Sequence, residues 1–533
     1  MTMRKYYHIL NLRRSKSLFT SHTSIVHQTS HVESHHRKPP PPLPPSPPSY
    51  QSTHSNLNRR FINRQLPTIH TSALPLYENK SSLDYQMTVK GREVITAAVT
   101  PANQPRQPLS NLDLLLPPIE AGVYFCYKKK DNIDMSPNTV MKTIKKSLAG
   151  VLSTFYPLAG QIVPNKYGEL EVLCNNNGVE FVHAHADIEM KDLDLYRPDY
   201  SVRGKLVPKL NHIHALLSVQ VTELKCGSLI ISCTFNHQLT DGYSLNMFLV
   251  AWAKYAQSET IFNMPSFQTS LLNPRHPPRY ESSVDNLYIP ISSLPPPSSF
   301  EEPLDSRMYY VHAKSIERIQ YEASTKEGTK SKLLSFTAFL WKLLANGKND
   351  VNTPSRMGIV VNGRRFLAEN NEKNASFMEN YYGNVVSIPY GAATNRDLKE
   401  MPLHEVANQV HRFVAKATHE EHFRGLGDWV QLHRPNRAAA RLYVGNKKSE
   451  GGGVVVSSGQ GLPIKDMDFG WGKPEFGSYH VPWGSQTGYI CTMPSACRNG
   501  DWVVYMHLKQ EEFNVIDHAA PNVFTPLSID TFF

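Results

Sequence analysis

The residues best suited to do chemistry are a histidine and an aspartate four positions apart, His237 and Asp241. His237 follows the apolar run 228–235, which predicts a buried strand, and precedes residues 245–256, whose apolar positions recur at helical spacing. A side chain at such a strand-to-helix corner projects from a rigid frame. Imidazole, with an ordinary pKa of about 6.5, is mostly unprotonated at pH 7 and can accept the proton of an attacking hydroxyl. His237 is therefore the candidate general base.

Two alternatives to this interpretation stay open on the residues alone. His237 could be a buried histidine that caps the neighbouring helix. The pattern also occurs a second time, at His183 and Asp187. That second match has no glycine after its aspartate and leads into charged residues that we predict to lie on the surface. We interpret it as unrelated to catalysis.

The sequence offers no recognisable nucleophile for a mechanism through a covalent intermediate. It has no Gly-x-Ser-x-Gly segment, and no cysteine is recognisably paired with a histidine. The six cysteines form no Cys-x-x-Cys pair, so we expect reduced, mostly buried thiols. His419 and His422 could share one face of a helix, but their spacing is not that of zinc enzymes. We predict a hydrated polar face there and no metal site.

Charge is distributed unevenly along the 533 residues. The net charge of +10 includes 11 Lys and Arg against 3 Asp and Glu in residues 1–86, which leaves 45 against 43 in the remainder. A nearly neutral body gives no support to nucleic-acid binding. No apolar run approaches the roughly 18 residues of a membrane-spanning helix. We therefore expect no nucleic-acid or membrane partner.

Residues 1–86 differ in kind from the rest because they are rich in His, Ser, Arg and Pro. Such a composition cannot bury enough apolar surface to fold, so we predict a disordered basic extension. Its acid-poor start is typical of an organelle transit peptide. The alternative, which we favour, is leader sequence upstream of a start at Met87, because residues 87–533 make a self-sufficient chain. A cytoplasmic location follows from that choice.

The remainder alternates helical and strand patterns. Ser136 and Pro137 predict the start of an amphipathic helix that ends before Pro157, and Ser335 is a candidate cap of a later helix. A proline-rich stretch without periodicity predicts a crossover linker at 271–305. Strands are predicted at residues 170–173, 216–221, 228–235 and 502–508.

A second distinctive segment lies near the C-terminus, and its glycines allow a tight backbone beside aromatic side chains. The segment consists of Asp468, Phe469, Gly470, Trp471 and Gly472. Together with the earlier His-x-x-x-Asp-Gly, which ends at Gly242, it resembles the plant BAHD family of acyl-CoA-dependent acyltransferases. The resemblance covers about 87–533 and includes Tyr382-Gly383-Asn384.

The resemblance implies an α/β fold of two chloramphenicol-acetyltransferase-like domains, with the active site in a channel between them. The N-terminal domain would span 87–270 and the C-terminal domain 306–533. It also implies that Asp241 pairs with an arginine, for which Arg307 is the candidate. Asp468 is expected to be a structural ion-pair partner of Arg364.

We expect the residues shortly before Asp468, the first residue of the second motif, to recognise the acceptor substrate. Family members that acylate shikimate or quinate are similar to one another there in a Thr-Ser-Trp stretch, whereas this chain has a valine run followed by Ser457 and Ser458. We expect such a wall to suit a flat apolar alcohol. Candidate substrate-binding residues are Ser457, Ser458, Tyr382 and Asn384. The region 468–484, which includes 476–480, looks most similar to that of coniferyl-alcohol acyltransferases.

The expected reaction is direct transfer of an acetyl or hydroxycinnamoyl group from acyl-CoA to the hydroxyl of a phenylpropanoid-type alcohol. Acyl-CoA is then a co-substrate, no cofactor is needed, and a monomer is expected. Transfer to shikimate or quinate, N-acylation of an amine, hydrolysis of the thioester, and non-catalytic binding of a metabolite remain alternatives.

Overall fold

The computed structural model describes residues 85–532 except 102, 104, 213, 261–263, 294–302, 327, 369–370, 445–451, 483–486 and 498. The predicted extension therefore lies almost entirely outside the described residues. The strands, in chain order, are β1 Met87–Ile95, β2 Arg106–Pro108, β3 Glu120–Tyr127, β4 Gln161–Pro164, β5 Leu170–Leu173, β6 Val179–Ala186, β7 Leu217–Leu224, β8 Leu229–Asn236, β9 Tyr288–Pro290, β10 Asp305–Val311, β11 Pro354–Ile359, β12 Val361–Asn362, β13 Val386–Ser387, β14 Tyr390–Thr394, β15 Ala438–Ala440, β16 Gly453–Ser458, β17 Phe476–His480, β18 Gly488–Pro494, β19 Trp502–Leu508 and β20 Thr525–Pro526.

The α-helices are α1 Pro137–Thr154, α2 Pro198–Ser201, α3 Gly242–Ala256, α4 Ala313–Ala323, α5 Lys332–Asn346, α6 Arg364–Ala368, α7 Glu372–Asn380, α8 Asn395–Glu400, α9 Leu403–Ala415, α10 Glu420–His433 and α11 Gln510–Ala519. None of the helices in the described ranges combines the length and the apolar character that crossing a membrane requires.

Two mixed sheets form the frame of this α/β fold. The first has the strand order β1-β6-β7-β8-β3-β17 and the second the order β14-β11-β16-β18-β19-β10-β20. In the first sheet every neighbouring pair is antiparallel except β6 and β7. In the second, β16 runs parallel to both β11 and β18. Strand β17 comes from the C-terminal half of the chain but completes the first sheet by pairing with β3.

The helix that follows the His237 corner is fixed by its apolar face. Phe248 of α3 packs edge-on against Phe155, with ring centroids 5.5 Å apart, and against Phe235 of β8 at 5.8 Å. Trp252, one turn further, is fully buried and donates to Ser147 of α1. Burial of large aromatic rings on one side of α3 therefore holds β8, α3 and α1 as one unit.

Most of the predicted elements occur where the sequence places them. Strand β19 has the predicted bounds, and α1 begins at Pro137, although the Ser136 side chain makes no capping hydrogen bond. The cap predicted at Ser335 is wrong, since α5 begins one turn earlier and Ser331 accepts from the Leu334 backbone. Residues 294–302 of the predicted linker lie outside the described residues, and the domain boundaries stay a prediction.

Candidate active site

His237 occupies the corner between β8 and α3. Its backbone N–H donates to the Ile119 carbonyl at 2.9 Å, and the Asn236 side chain accepts from the Gln238 backbone at 3.0 Å. At the other end of the corner, Asp241 is the N-cap of α3 and accepts from the Ser244 backbone at 2.9 Å. Both ends of the five-residue corner are thus hydrogen-bonded to regular structure, which fixes the backbone position from which the imidazole projects.

The two ring nitrogens of His237 lie in different surroundings. Nδ1 is completely buried and has no hydrogen-bond partner within the described ranges, whereas Nε2 keeps accessible surface and is likewise without a partner there. Burial lowers the pKa of His237 below its usual value, opposed by the ring's own backbone, the charge of Asp241 and the Asn384 side chain. A neutral imidazole with an accessible, unoccupied Nε2 is what a general base requires.

Asp241 is engaged by Arg364 and does not act on the imidazole as a hydrogen-bond partner. The Arg364 Nη1–Asp241 Oδ2 distance is 2.7 Å and the Nη2–Oδ1 distance is 3.2 Å, so the pair is bidentate, and both side chains are buried. Burial raises the pKa of Asp241, but the charge and hydrogen bonds of Arg364 outweigh this and lower it below the ordinary value. Arg364 also donates to the Gly383 carbonyl at 2.7 Å. The ion pair therefore joins the first motif to the C-terminal half.

The expected pairing of Asp241 with Arg307 is wrong. Arg307 instead contacts Asp517 of α11 at 2.6 Å, and its guanidinium lies 4.4 Å from the centre of the Phe513 ring. Arg307 lies on β10 in the second sheet, where its partners come from the helix that packs on that sheet. The resemblance offered Arg307 for this pair, and the fold brings Arg364 to Asp241 instead.

The expected pairing of Asp468 with Arg364 is also wrong, because Arg364 is bound to Asp241. Asp468 instead accepts the backbone N–H groups of Gly470 at 2.8 Å and Gly472 at 2.9 Å. Both glycines have positive φ, +110° and +100°, a conformation that L side chains rarely adopt. The turn places the Phe469 ring 4.9 Å from the Trp252 ring and the Trp471 ring 6.3 Å from Tyr127. This motif anchors α3 to β3 and does not reach the reacting groups.

The candidate substrate-binding residues separate into two sets. Tyr382 and Asn384 are 2% and 0% exposed, the Tyr382 hydroxyl lies 3.1 Å from that of Thr240, and Asn384 Nδ2 donates to Asp113 and to the His237 carbonyl, so burial keeps both side chains from direct contact with an acceptor. Ser457 is nearly buried and its hydroxyl lies 2.6 Å from the Tyr489 hydroxyl. Ser458 is exposed. Of the four, Ser458 alone is open to solvent.

The valine run before Ser457 does not form the expected wall of an acceptor site. Val454, Val455 and Val456 lie in β16, between β11 and β18, and are 5%, 0% and 0% exposed. Central strands of a sheet covered on both faces carry continuous apolar runs for packing reasons alone. The run therefore belongs to the core.

The exposed side of α3 borders a groove of about 390 Å³ at the junction of the two halves. Tyr243, Met247 and Lys254 of α3 line one wall, and Glu379 and Asp466 of the C-terminal half line the other. The groove begins at the first turn of the helix that follows the His237 corner. Its lining combines apolar surface with two carboxylates and one ammonium group.

One buried carboxylate near the corner was missed by the sequence analysis. Asp113 is 2% exposed, accepts from both the backbone and the side chain of Asn384 at 2.8 Å, and burial raises its pKa to about 6. Asn384 in turn donates to the His237 carbonyl at 3.0 Å. The available signal was a charged residue inside an apolar run, Leu112–Leu116, because acids are rarely found in such runs unless they are partnered.

The other histidine motifs lie away from the corner. His183 lies within β6, half-buried, with its Nε2 2.7 Å from Glu223. His422 is buried and its Nε2 lies 2.8 Å from the Ser387 hydroxyl, so the hydrated face predicted for it is wrong. Burial lowers the pKa of His422 to about 4, followed in effect by the neighbouring His419. Within the described residues, no cluster of three or more His, Cys, Asp and Glu side chains is arranged to hold a metal ion.

Comparison with known proteins agrees with this arrangement. The model of the Transferase family matches residues 85–522. The chain is 27% identical to (Z)-3-hexen-1-ol acetyltransferase of Arabidopsis thaliana over 80% of this chain and 94% of that protein. It is 27% identical to shikimate O-hydroxycinnamoyltransferase of Nicotiana tabacum over 78% of this chain and 95% of that protein.

A solved structure shares the fold. The crystal structure of vinorine synthase superposes with a TM-score of 0.62 at 22% identity, covering 83% of this chain and 100% of that one. The chain thus belongs to the Transferase family, the BAHD acyl-CoA-dependent acyltransferases, which take a CoA thioester as co-substrate.

Proposed function

We propose that this enzyme transfers an acetyl or hydroxycinnamoyl group from acyl-CoA to the hydroxyl of a phenylpropanoid-type alcohol such as coniferyl alcohol, with His237 as the general base. The observation that carries the proposal is the His237 ring itself, whose accessible Nε2 has no partner in the described residues while Asp241 is held by Arg364. Such a ring is free to take a proton. We further propose that the enzyme acts as a monomer in the cytoplasm.

The proposed reaction is direct and needs no covalent intermediate on the protein. Nε2 of His237 removes the hydroxyl proton as the oxygen attacks the thioester carbonyl, and a carbon–oxygen bond forms. Collapse of the tetrahedral adduct breaks the carbon–sulfur bond, and the leaving CoA thiolate takes the proton back from the imidazolium. The products are an ester and free CoA, and the histidine returns to its neutral state.

We take the groove beside α3 as the route by which the acceptor approaches; His237 is not among its lining residues, and its charge supports a neutral acceptor. Glu379 and Asp466 outnumber the single Lys254 there, so a carboxylate such as that of shikimate or quinate would meet net negative charge. Apolar contacts from Tyr243 and Met247 suit an aromatic or alkenyl body. The likeness of the region 468–484 to coniferyl-alcohol acyltransferases supports the phenylpropanoid class.

Replacing the proposed base tests the mechanism directly. In His237→Ala we expect turnover to fall by about 10²–10⁴-fold with folding retained, because general bases contribute that much. The matched control is His183→Ala, the same change in the second His-x-x-x-Asp segment, which should keep normal turnover. Release of free CoA and mass spectrometry of the ester product are the measurements, and undiminished turnover in His237→Ala would contradict the proposal.

An amine acceptor is a second candidate, favoured by the same two carboxylates. Glu379 and Asp466 would attract the ammonium form of an amine to the groove. Competition between coniferyl alcohol and a phenolic amine of similar length, with acetyl-CoA and a hydroxycinnamoyl-CoA as donors, separates the two. An ester as the main product supports O-acylation, and an amide as the main product replaces it with N-acylation. CoA release without acceptor would indicate hydrolysis of the thioester.

A further inference from the structure

A second groove, of about 610 Å³, lies where the segment after α3 passes the end of α1, and the proposed mechanism does not use it. Gln107 of β2, with Thr154 and Tyr156 near the end of α1, lines the groove together with residues 264–270 and Asn273. Small-molecule sites in proteins typically have volumes of about 300–1,000 Å³. The groove is therefore large enough for a small ligand.

The lining of this groove carries no charge at neutral pH. None of its eleven described residues is Asp, Glu, Lys, Arg or His. Protein surfaces are about 25–35% charged, so about three charged side chains are expected among eleven residues. The groove beside α3 has three among ten, Lys254, Glu379 and Asp466. A charged ligand would find no opposite charge in the second groove, which therefore suits a neutral one.

The lining is nevertheless rich in hydrogen-bonding groups, since eight of the eleven residues carry a hydroxyl or a carboxamide. Gln268 and Ser270 are exposed, and their side chains have no hydrogen-bond partner in the described part of the chain. Asn273 is also exposed and uses only its Oδ1, which accepts from the Thr269 hydroxyl at 3.2 Å. Hydroxyls and carboxamides both donate and accept, which matches a ligand that carries several hydroxyl groups.

The aromatic part of the groove combines apolar surface with a polar tip. Tyr156 is half-buried, and its ring packs edge-on against the Phe267 ring with centroids 5.2 Å apart. The Tyr156 hydroxyl has no hydrogen-bond partner among the described residues. A half-buried tyrosine of this kind offers a ring face to C–H groups and a hydroxyl to polar groups of the same ligand.

Hydrogen bonds to neighbouring elements hold the groove in shape. The Phe267 carbonyl accepts from Gln107 Nε2 at 2.5 Å. The Ser266 backbone N–H donates to the Asn380 carbonyl at 2.7 Å, and the Ser266 carbonyl accepts from the Tyr382 backbone at 2.8 Å. The segment that forms much of the lining is thus fixed on both sides before any ligand binds. A preformed site loses less conformational entropy on binding than a flexible one.

We propose that this groove is a second binding site and that its ligand is a neutral sugar in the pyranose form, free or as a glycoside. The hydroxyl groups of a pyranose match the hydroxyls and carboxamides of the lining, and its C–H face suits the Tyr156 ring. The inference goes beyond the acyl-transfer reaction, because none of the described lining residues belongs to the His237 corner.

Calorimetric titration of the full chain with phenyl β-D-glucopyranoside tests the proposal. We expect a dissociation constant below about 5 mM. Phenyl β-D-glucuronide should bind about tenfold more weakly, because its carboxylate meets no cation in the lining. Phenol, which keeps the ring and lacks the sugar, should also bind at least about tenfold more weakly. A glucoside affinity below the expected range, or equal affinity for phenol or for the glucuronide, would overturn the proposal.

Two exposed amides of the lining allow variants that keep the fold. We expect Gln268→Ala and Asn273→Ala each to weaken glucoside binding about fivefold, the usual effect of one lost hydrogen bond, and the double variant to weaken it at least about tenfold. Asn436→Ala is the matched control, because Asn436 is exposed and does not line the groove. Unchanged affinity in the double variant, or an equal loss in Asn436→Ala, would contradict the assignment of the site.

A last comparison keeps this site apart from the proposed active site. His237→Ala should bind the glucoside with unchanged affinity, and coniferyl alcohol should not displace it. Loss of binding in His237→Ala, or displacement by coniferyl alcohol, would place the sugar at the active site and overturn the proposal. Calorimetry needs no turnover, so glucoside binding by a protein that acylates no acceptor would support this site while the proposed function failed.

Discussion

At the scale of single residues, the site separates chemistry from anchoring. His237 keeps one free nitrogen, while Asp241, four residues on, spends both oxygens on Arg364 and on backbone N–H groups. A carboxylate bonded in this way cannot relay a proton to the ring. Its contribution is to hold the corner against the C-terminal half. Because the ion pair is buried, removing either partner would leave an unpaired buried charge and strongly destabilise the protein.

The buried ring of His237 predicts an unusual pH dependence. Burial lowers its pKa, and a base is active when deprotonated, so the enzyme should hold its activity as pH falls from 8 to 6.5. The acidic limb of kcat/KM is expected to have its midpoint below the ordinary histidine value of about 6.5. Initial rates across pH 4.5–8.5 test this, with circular dichroism at each pH to show that the protein is folded. A midpoint above 7 would contradict the burial effect.

Sequence reasoning located His237, the candidate base, because its residue type and its place between a strand and a helix are both local. It wrongly assigned Arg307 to Asp241, because the true partner, Arg364, lies 123 positions away and is fixed by how the halves meet. The carboxylate of Asp113 was visible inside an apolar run, but its partner could not be predicted for the same reason, as Asn384 is 271 positions distant. Pairings between distant residues are properties of the fold and leave no local pattern.

At the scale of elements, the second motif is a turn stabilised by one side-chain oxygen. Asp468 Oδ1 bonds two backbone N–H groups, and the turn delivers two aromatic rings to the core behind α3. Sequence predicted the tight backbone correctly from the glycines. The family resemblance assigned the aspartate to an ion pair, whereas aspartate in glycine-rich turns commonly accepts from nearby backbone.

Removal of the charge from this turn distinguishes the two roles. Asp468→Asn should keep nearly full stability, since an amide oxygen can accept both N–H groups, whereas Asp468→Ala should lose about 1–2 kcal/mol, the usual cost of losing such a cap. Urea denaturation measures the free energy of unfolding. Asp466→Ala, two residues earlier and exposed, serves as a control expected to change stability by less than about 0.5 kcal/mol. Equal losses in the Asn and Ala variants would show that the charge matters.

At the scale of the whole molecule, the two halves of the chain are not two separate cores. One hydrophobic cluster runs from Val123 and Phe235 in the first sheet to Val455 and Tyr505 in the second, while a smaller cluster belongs to the C-terminal half alone. Strand β17 crosses from one half to the other. A linear sequence divided at a proline-rich linker cannot reveal such a crossing, because β17 looks like any other short apolar segment.

This crossing predicts that residues 87–270 do not fold alone. Without β17 the edge of β3 is unpaired. Tyr124 and Phe125, which are 0% and 1% exposed in the full chain, become more accessible to solvent. Asp241 also loses its ion-pair partner Arg364. We therefore expect this fragment to show no cooperative thermal transition and to bind a hydrophobic dye, unlike residues 85–533.

A second fragment sharpens the test of this shared architecture. Joining residues 473–482 to residue 270 through a Gly/Ser linker supplies β17 without the rest of the C-terminal half. This fragment should gain secondary structure by circular dichroism, because β3 regains its partner over five residue pairs. It should remain less stable than the full chain, since the Asp241–Arg364 pair is still missing. A sharp transition in the unmodified 87–270 fragment, at the temperature of the full chain, would show that the first half is an independent domain after all.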